Sequence, residues 1–165
     1  MQLCLVRHAI AGDRDPDRYP DDGLRPVTAD GAEKMRVAAA GLKTLFVPDL
    51  ILSSPLLRAR QTADIIGRAL KVSDIRSCDA LASGDGRALL EDLAHLGLKR
   101  VLAVGHQPHL TNMLSLFLAG TEEAVVSEIK KGAAALVTFD DAPQPHGARL
   151  ESLIQPGTLR SLAKA

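Results

Sequence analysis

Three short segments carry side chains that could do chemistry together: Arg7-His8, Arg58 within Ser53-Ser54-Pro55-Leu56-Leu57-Arg58, and His106 within Gly105-His106-Gln107-Pro108. Each follows directly on an apolar run. A guanidinium presents a planar fork of donors that matches phosphate oxygens, and it stays charged at any working pH. A neutral imidazole can attack phosphorus, and a covalent phosphohistidine divides one hard displacement into two easier ones. Two arginines and two histidines therefore suit phosphoryl transfer, with either His8 or His106 able to act as nucleophile. Arg58 falls in the first turn of an expected helix and His106 just precedes another, so unpaired backbone N–H groups and helix dipoles add to an anion site. No metal and no cofactor are required to neutralise the phosphate.

The elements that must position these groups are read from periodicity. Leu3-Cys4-Leu5-Val6 is an apolar run at the chain start, as expected for a strand buried on both faces of a parallel sheet. Residues 7–27, rich in Asp, Arg, Gly and Pro, make a loop long enough to imply a site. Thr28 is the expected N-cap of a first crossover helix, with Ala32, Met35, Ala39 and Leu42 at helical spacing. Leu50-Ile51-Leu52 is a second strand, followed by Ser54 as cap, Pro55 at the first helical position, and a stripe of Ala59, Ala63, Ile66 and Leu70. A weaker strand over 74–77, a helix over 87–96 closed by Gly97, a strong strand over 101–104 and a helix over 108–118 continue the alternation. A short helical segment over 122–130 and strands over 135–139 and 149–154, with a Pro-rich turn between them, complete the reading. This alternation predicts a single α/β domain over 1–165, a three-layer sandwich with a mainly parallel central sheet and helices on both faces. In such sheets ligands bind beyond the carboxyl ends of the strands, which is where Arg7-His8, Ser53 to Arg58 and Gly105-His106 fall.

Composition narrows the function classes. Lys+Arg and Asp+Glu both number 20, so there is no global field to attract nucleic acid or an anionic membrane. The apolar runs fall far short of the roughly 20 residues that span a bilayer, and the start of the chain lacks the basic leader and cleavage pattern of a signal peptide. Cytoplasmic residence and a monomeric state are the expectations. Cys4 and Cys78 are far apart and read as reduced thiols acting as small hydrophobes.

The order and spacing of Leu5-Val6-Arg7-His8, Leu24-Arg25-Pro26-Val27-Thr28 with Gly31, Ser53-Ser54-Pro55-Leu56-Leu57-Arg58-Ala59-Arg60-Gln61-Thr62 and Val104-Gly105-His106-Gln107-Pro108 resemble the histidine phosphatase superfamily. Within it they are most similar to the short SixA-type phosphohistidine phosphatases. The resemblance implies a phosphoglycerate mutase-like fold, His8 as the phosphorylated nucleophile, Arg7 and Arg58 clamping the equatorial oxygens, and His106 stabilising the transferring group, with Arg25 joining from the loop. Two departures stand out: Ala9 follows the Arg-His pair where the family usually has Gly, and no Glu motif supplies the acidic proton donor found in phosphomonoesterase branches. Asp79 and Asp85 lie in the corresponding stretch as weak candidates for that donor.

The missing acid bears on substrate. An alkoxide leaving group needs a proton from a positioned acid, whereas phosphohistidine can carry its own proton on the second ring nitrogen and leave as neutral imidazole. The expected substrate is thus a histidine-phosphorylated signalling or phosphocarrier protein, admitted to an open pocket that so short a chain has little room to cover. The competing readings are a small-molecule phosphomonoesterase of the same superfamily and a non-catalytic module that binds phosphorylated proteins. Other charged residues read more simply. Arg60 and Arg68 are ordinary helix arginines, Lys130-Lys131 and the aspartates of 13–22 are solvated charge, His95 and His146 lie on a helix face and a turn, and His109 has no companion ligands for zinc.

Overall fold

The computed structural model describes residues 1–164. Strands β1 (Gln2–Arg7), β2 (Leu50–Ser53), β3 (Ile75–Ser77), β4 (Arg100–Gly105), β5 (Ala134–Phe139) and β6 (Ala148–Ile154) form one sheet in the order β3-β2-β4-β1-β5-β6. The first four strands run parallel, and β5 is antiparallel to both its neighbours. Helices α1 (Ala29–Lys43), α2 (Leu57–Leu70), α3 (Ala80–Ser83), α4 (Gly86–Leu96), α5 (His109–Ala119) and α6 (Pro156–Leu162) lie on the two faces. The fold is the α/β sandwich that the alternation predicts.

Period-two geometry explains how one apolar strand serves two cores. Leu3 and Leu5 of β1 join Leu50, Leu52, Val101 and Ala103 against Leu81, Leu89, Leu93, Met113 and Phe117 of α3, α4 and α5. The intervening Cys4 and Val6 join Ile51, Leu102 and Val104 against Met35, Leu42, Ala63, Ile66 and Leu159 of α1, α2 and α6. Both cysteines are buried free thiols, and burial raises each thiol's pKa, so they remain protonated packing groups.

Local chemistry sets several boundaries. The Thr28 hydroxyl accepts from Gly31 N and caps α1, as its position predicts. Gly97 ends α4 in the left-handed conformation, and Asp85 caps its start by accepting from Arg87 N and Ala88 N.

Three expectations are corrected. Helix α2 starts at Leu57 with Leu56 at its N-cap and no side-chain cap, because the Ser54 hydroxyl is engaged with His106 and Pro55 precedes the helix. Residues 122–130 are not helical. Their backbone is held by outside partners instead: Ser115 Oγ accepts from Val125 N, Arg7 donates to Ile129 O, and Gln155 donates to Glu128 O. Helix α6 was not expected; Pro156 at its first turn starts it, and it packs so closely on α1 that a Cβ on Gly41 would lie 1.8 Å from Leu159 O.

The order places β4 between β1 and β2, so the carboxyl ends of these three strands stand side by side. Arg7 pairs in register with Gly105, and Ser53 with Val104.

Candidate active site

His8 and His106 leave β1 and β4 at matched positions, and their rings stand 5.1 Å apart between centroids, tilted by 49°. The backbone fixes this approach, since His8 N donates to Gly105 O and Ser54 N donates to Val104 O, both at 3.0 Å. Arg58 arrives from the first turn of α2. All three side chains are nearly withdrawn from solvent, with His8 5%, Arg58 7% and His106 6% exposed.

The segment Arg58-x-x-Gln61-Thr62 does its positioning through helical periodicity, which puts the three side chains on one face. Thr62 Oγ1 donates to Arg58 O at 2.6 Å and accepts from Ala9 N at 2.9 Å, tying α2 to the residue that follows His8. Gln61 Oε1 accepts from Val27 N at 2.8 Å and anchors the end of the long loop.

Each imidazole is oriented by one hydrogen bond. His8 Nδ1 stands 2.7 Å from Ala9 O. A carbonyl only accepts, so Nδ1 carries the ring proton and Nε2 keeps its lone pair. His106 Nε2 is bonded to the Ser54 hydroxyl at 2.8 Å. Burial, opposed in part by the Ala9 carbonyl and helped by Arg58, Arg7 and Lys131, holds His8 at a pKa of about 4. Burial first, then His8, Arg58, His109 and Arg7, brings His106 to about 3. Both rings are therefore neutral at physiological pH, and both guanidiniums act on both rings.

Three buried nitrogens of this group, Arg7 Nε, Arg58 Nε and His106 Nδ1, have no hydrogen-bond partner. An unmet buried polar group costs about 1–3 kcal/mol. All three belong to the arginines and histidines whose charges act on one another here, and an oxyanion is a ligand suited to such unmet groups.

Arg25 stands behind Arg58 in this group. Its Nε donates to Asp22 Oδ1 at 2.9 Å and its Nη1 to Gly12 O at 2.7 Å, while Arg58 Nη1 donates to Asp22 O at 2.8 Å. Asp22, which the sequence reading assigned to solvated loop charge, thus bridges two arginines, and its bond to Arg25 together with Arg58 and Arg14 holds its carboxyl below the usual range. Asp79 and Asp85 make no hydrogen bond to this group. Asp85 uses its carboxylate to cap α4, and Asp79 is exposed and makes no side-chain hydrogen bond at the start of α3. Sequence reasoning also missed Ser54 as a partner of His106, Thr62 as the link to Ala9, and Lys131 as a charge felt at His8. His109 packs on the Gly84 turn, and no group of three His, Cys, Asp or Glu side chains among the described residues is placed to hold a metal ion.

The model of the histidine phosphatase superfamily (branch 1) matches residues 3–85, half of the chain, including His8 and Arg58. The chain belongs to this superfamily. A relative from Picosynechococcus, an uncharacterized protein, is 33% identical over 153 residues, covering 86% of this chain and 92% of the relative. Among solved structures of the superfamily's fold, the protein histidine phosphatase SixA complexed with tungstate is similar at a TM-score of 0.80 and 26% identity, covering 96% of this chain and 99% of that one. SixA from Agrobacterium tumefaciens gives 0.74 and 25%, covering 94% and 97%. A mycobacterial glucosyl-3-phosphoglycerate phosphatase bound to VO3 shares the fold at a TM-score of 0.70 and 15% identity, over 93% and 99%. His106 lies outside the matched segment, and it is the fold that carries it to His8.

Proposed function

We propose that the chain is a metal-independent phosphohistidine phosphatase that acts in the cytoplasm on a histidine-phosphorylated signalling or phosphocarrier protein through a phospho-His8 intermediate. The observation that carries this reading is the hydrogen bond from His8 Nδ1 to Ala9 O. It points the Nε2 lone pair at an incoming phosphorus without any prior proton transfer.

In the first step His8 Nε2 forms a bond to phosphorus while the P–N bond to the substrate histidine breaks. The leaving imidazole keeps the proton it carries on its other nitrogen and departs neutral. Arg7 and Arg58 hold the equatorial oxygens, and His106 adds its free Nδ1 to the developing charge. Arg25, through Asp22, positions Arg58. In the second step water attacks phosphorus and His8 leaves as neutral imidazole, because its Nδ1 has kept its proton throughout. The proton of the water passes to a phosphate oxygen. Neither step asks the chain for a strong acid, because each leaving imidazole departs with its own proton. A phosphatase of simple esters would need one for the alkoxide.

The similarity to SixA supports the P–N substrate, and its tungstate complex supports an oxyanion as ligand. Incubating the chain with a histidine-phosphorylated carrier protein and excess chelator tests the reading. Phosphate release should be unaffected by chelator, with kcat/KM at least about 100-fold above that for an alkyl phosphate, the low end of what a positioned acid contributes to ester cleavage. Faster turnover of esters, or inhibition by chelator, would move the assignment to a phosphomonoesterase or a metal-dependent enzyme.

A further inference from the structure

Next to His8, between α1 and α6, lies a cavity of about 210 Å³ that the steps above do not use. Its lining includes three charged side chains, Lys34, Lys131 and Arg160, all cationic, in a chain whose charges balance overall. Lys34 is paired with Asp30 at 2.7 Å, while Lys131 and the half-buried Arg160 enter no ion pair among the described residues. The remaining walls, which include Ile10, Met35 and Pro156, are apolar.

The cavity is joined to the candidate active site by covalent and hydrogen-bonded neighbours. Ala9, in its wall, follows His8, and Gly132, also in its wall, donates its N–H to Arg7 O at 3.0 Å. Gly132 adopts φ 82°, and a Cβ there would stand 3.6 Å from both Met35 Sδ and Pro156 Cβ, so the absence of a side chain keeps the space open. The charge of Lys131 already reaches His8. Cations above apolar walls fit an acidic group on a short aliphatic stem, whose charge they meet while the stem is buried. Pockets for whole drug-sized ligands run about 300–1,000 Å³, so this one takes a group the size of a side chain.

We propose that this cavity is a second anion site, holding a carboxylate or phosphate that the substrate carries close to its transferable phosphoryl group. The assignment rests on the phosphohistidine reading in one respect: on that reading the group is an acidic side chain of the phosphoprotein. A second acidic group on a small phosphorylated molecule has the same chemistry.

Two measurements test it. Succinate is titrated into the wild-type chain, Arg160→Gln and Lys131→Gln, with the backbone amides of Ile10, Gly31 and Gly132 followed by NMR. Saturable shifts are expected in the wild type and affinity about tenfold weaker in Arg160→Gln, the scale of one charge-assisted hydrogen bond. No saturable shift in the wild type, or unchanged affinity in both variants, overturns the site. This arm needs no turnover and so stands apart from the phosphatase assignment. The second arm compares kcat/KM for phosphohistidine peptides with Glu or Gln beside the phosphorylated residue, and for a phosphate ester with and without a carboxylate. A preference of about fivefold or more for the Glu peptide that approaches unity in Arg160→Gln assigns the anion to a protein substrate. The same pattern confined to the esters assigns it to a small molecule and refutes the phosphohistidine reading alone. No preference in either pair refutes the cavity's role.

Discussion

Replacing His8 with alanine is expected to lower phosphate release from a phosphohistidine substrate by about 10⁴-fold or more, the scale seen when a covalent nucleophile is removed. His106→Ala is expected to cost less, about 10²–10³-fold, as for loss of one donor to a transition-state oxygen. The asymmetry follows from the hydrogen bonds each ring makes. His8 has its proton held at Nδ1 by the Ala9 carbonyl and an unencumbered Nε2, whereas His106 has Nε2 engaged by Ser54. The two variants need steady-state kinetics beside thermal melts, because both side chains are buried and each deletion leaves a cavity. Equal losses in the two would remove the distinction between nucleophile and stabilising partner.

Acidification should destabilise the fold well above the pH at which carboxylates titrate. In the unfolded chain both histidines take up protons near pH 6.5, but folded His8 does so only near 4 and His106 near 3. Above 6.5 both are neutral in both states, and the stability associated with their neutral burial is fully present. As pH falls below 6.5 the unfolded chain binds protons that the folded chain does not, so stability is lost until the folded values are passed. Each pH unit in that window is about 1.4 kcal/mol per histidine, so His8 alone amounts to about 3 kcal/mol by pH 4. Urea midpoints at pH 7.5 and 5 should therefore differ clearly in the wild type and much less in a His8→Asn/His106→Asn variant. A wild-type midpoint that stays level between those two pH values would show that the rings charge without resistance.

What was legible in the sequence was whatever a strand or a helix writes locally. Leu3 to Val6, Leu50 to Leu52 and Val101 to Val104 are buried on both sides of the sheet and so read as unbroken apolar runs. The chemistry that follows such runs could be located because parallel strands deliver their carboxyl ends to one edge. Thr28, Asp85 and Gly97 sit where cap chemistry predicts a helix end, although Asp85 was weighed as a proton donor. Partnerships across long sequence separations were not legible. Asp22 looked like one of many loop aspartates until the fold placed it between Arg25 and Arg58, and Lys131 looked like solvated charge until the turn before β5 brought it to His8. The same limit explains residues 122–130, whose carbonyls and amides are met by Arg7, Ser115 and Gln155 rather than by one another. Ser54 had the right type and place for a helix cap, and only the neighbouring strand revealed His106 as its partner.

The central claim is that phosphate passes through His8, and rapid-quench mass spectrometry tests it most directly. The wild-type chain is mixed with a phosphohistidine substrate, quenched in alkali to preserve phosphohistidine, digested and mapped. The account predicts one added phosphoryl group on His8, acid-labile, formed before phosphate is released and absent from His106. A burst of dephosphorylated substrate with no phosphoryl group on His8, or with the group on His106, would contradict it.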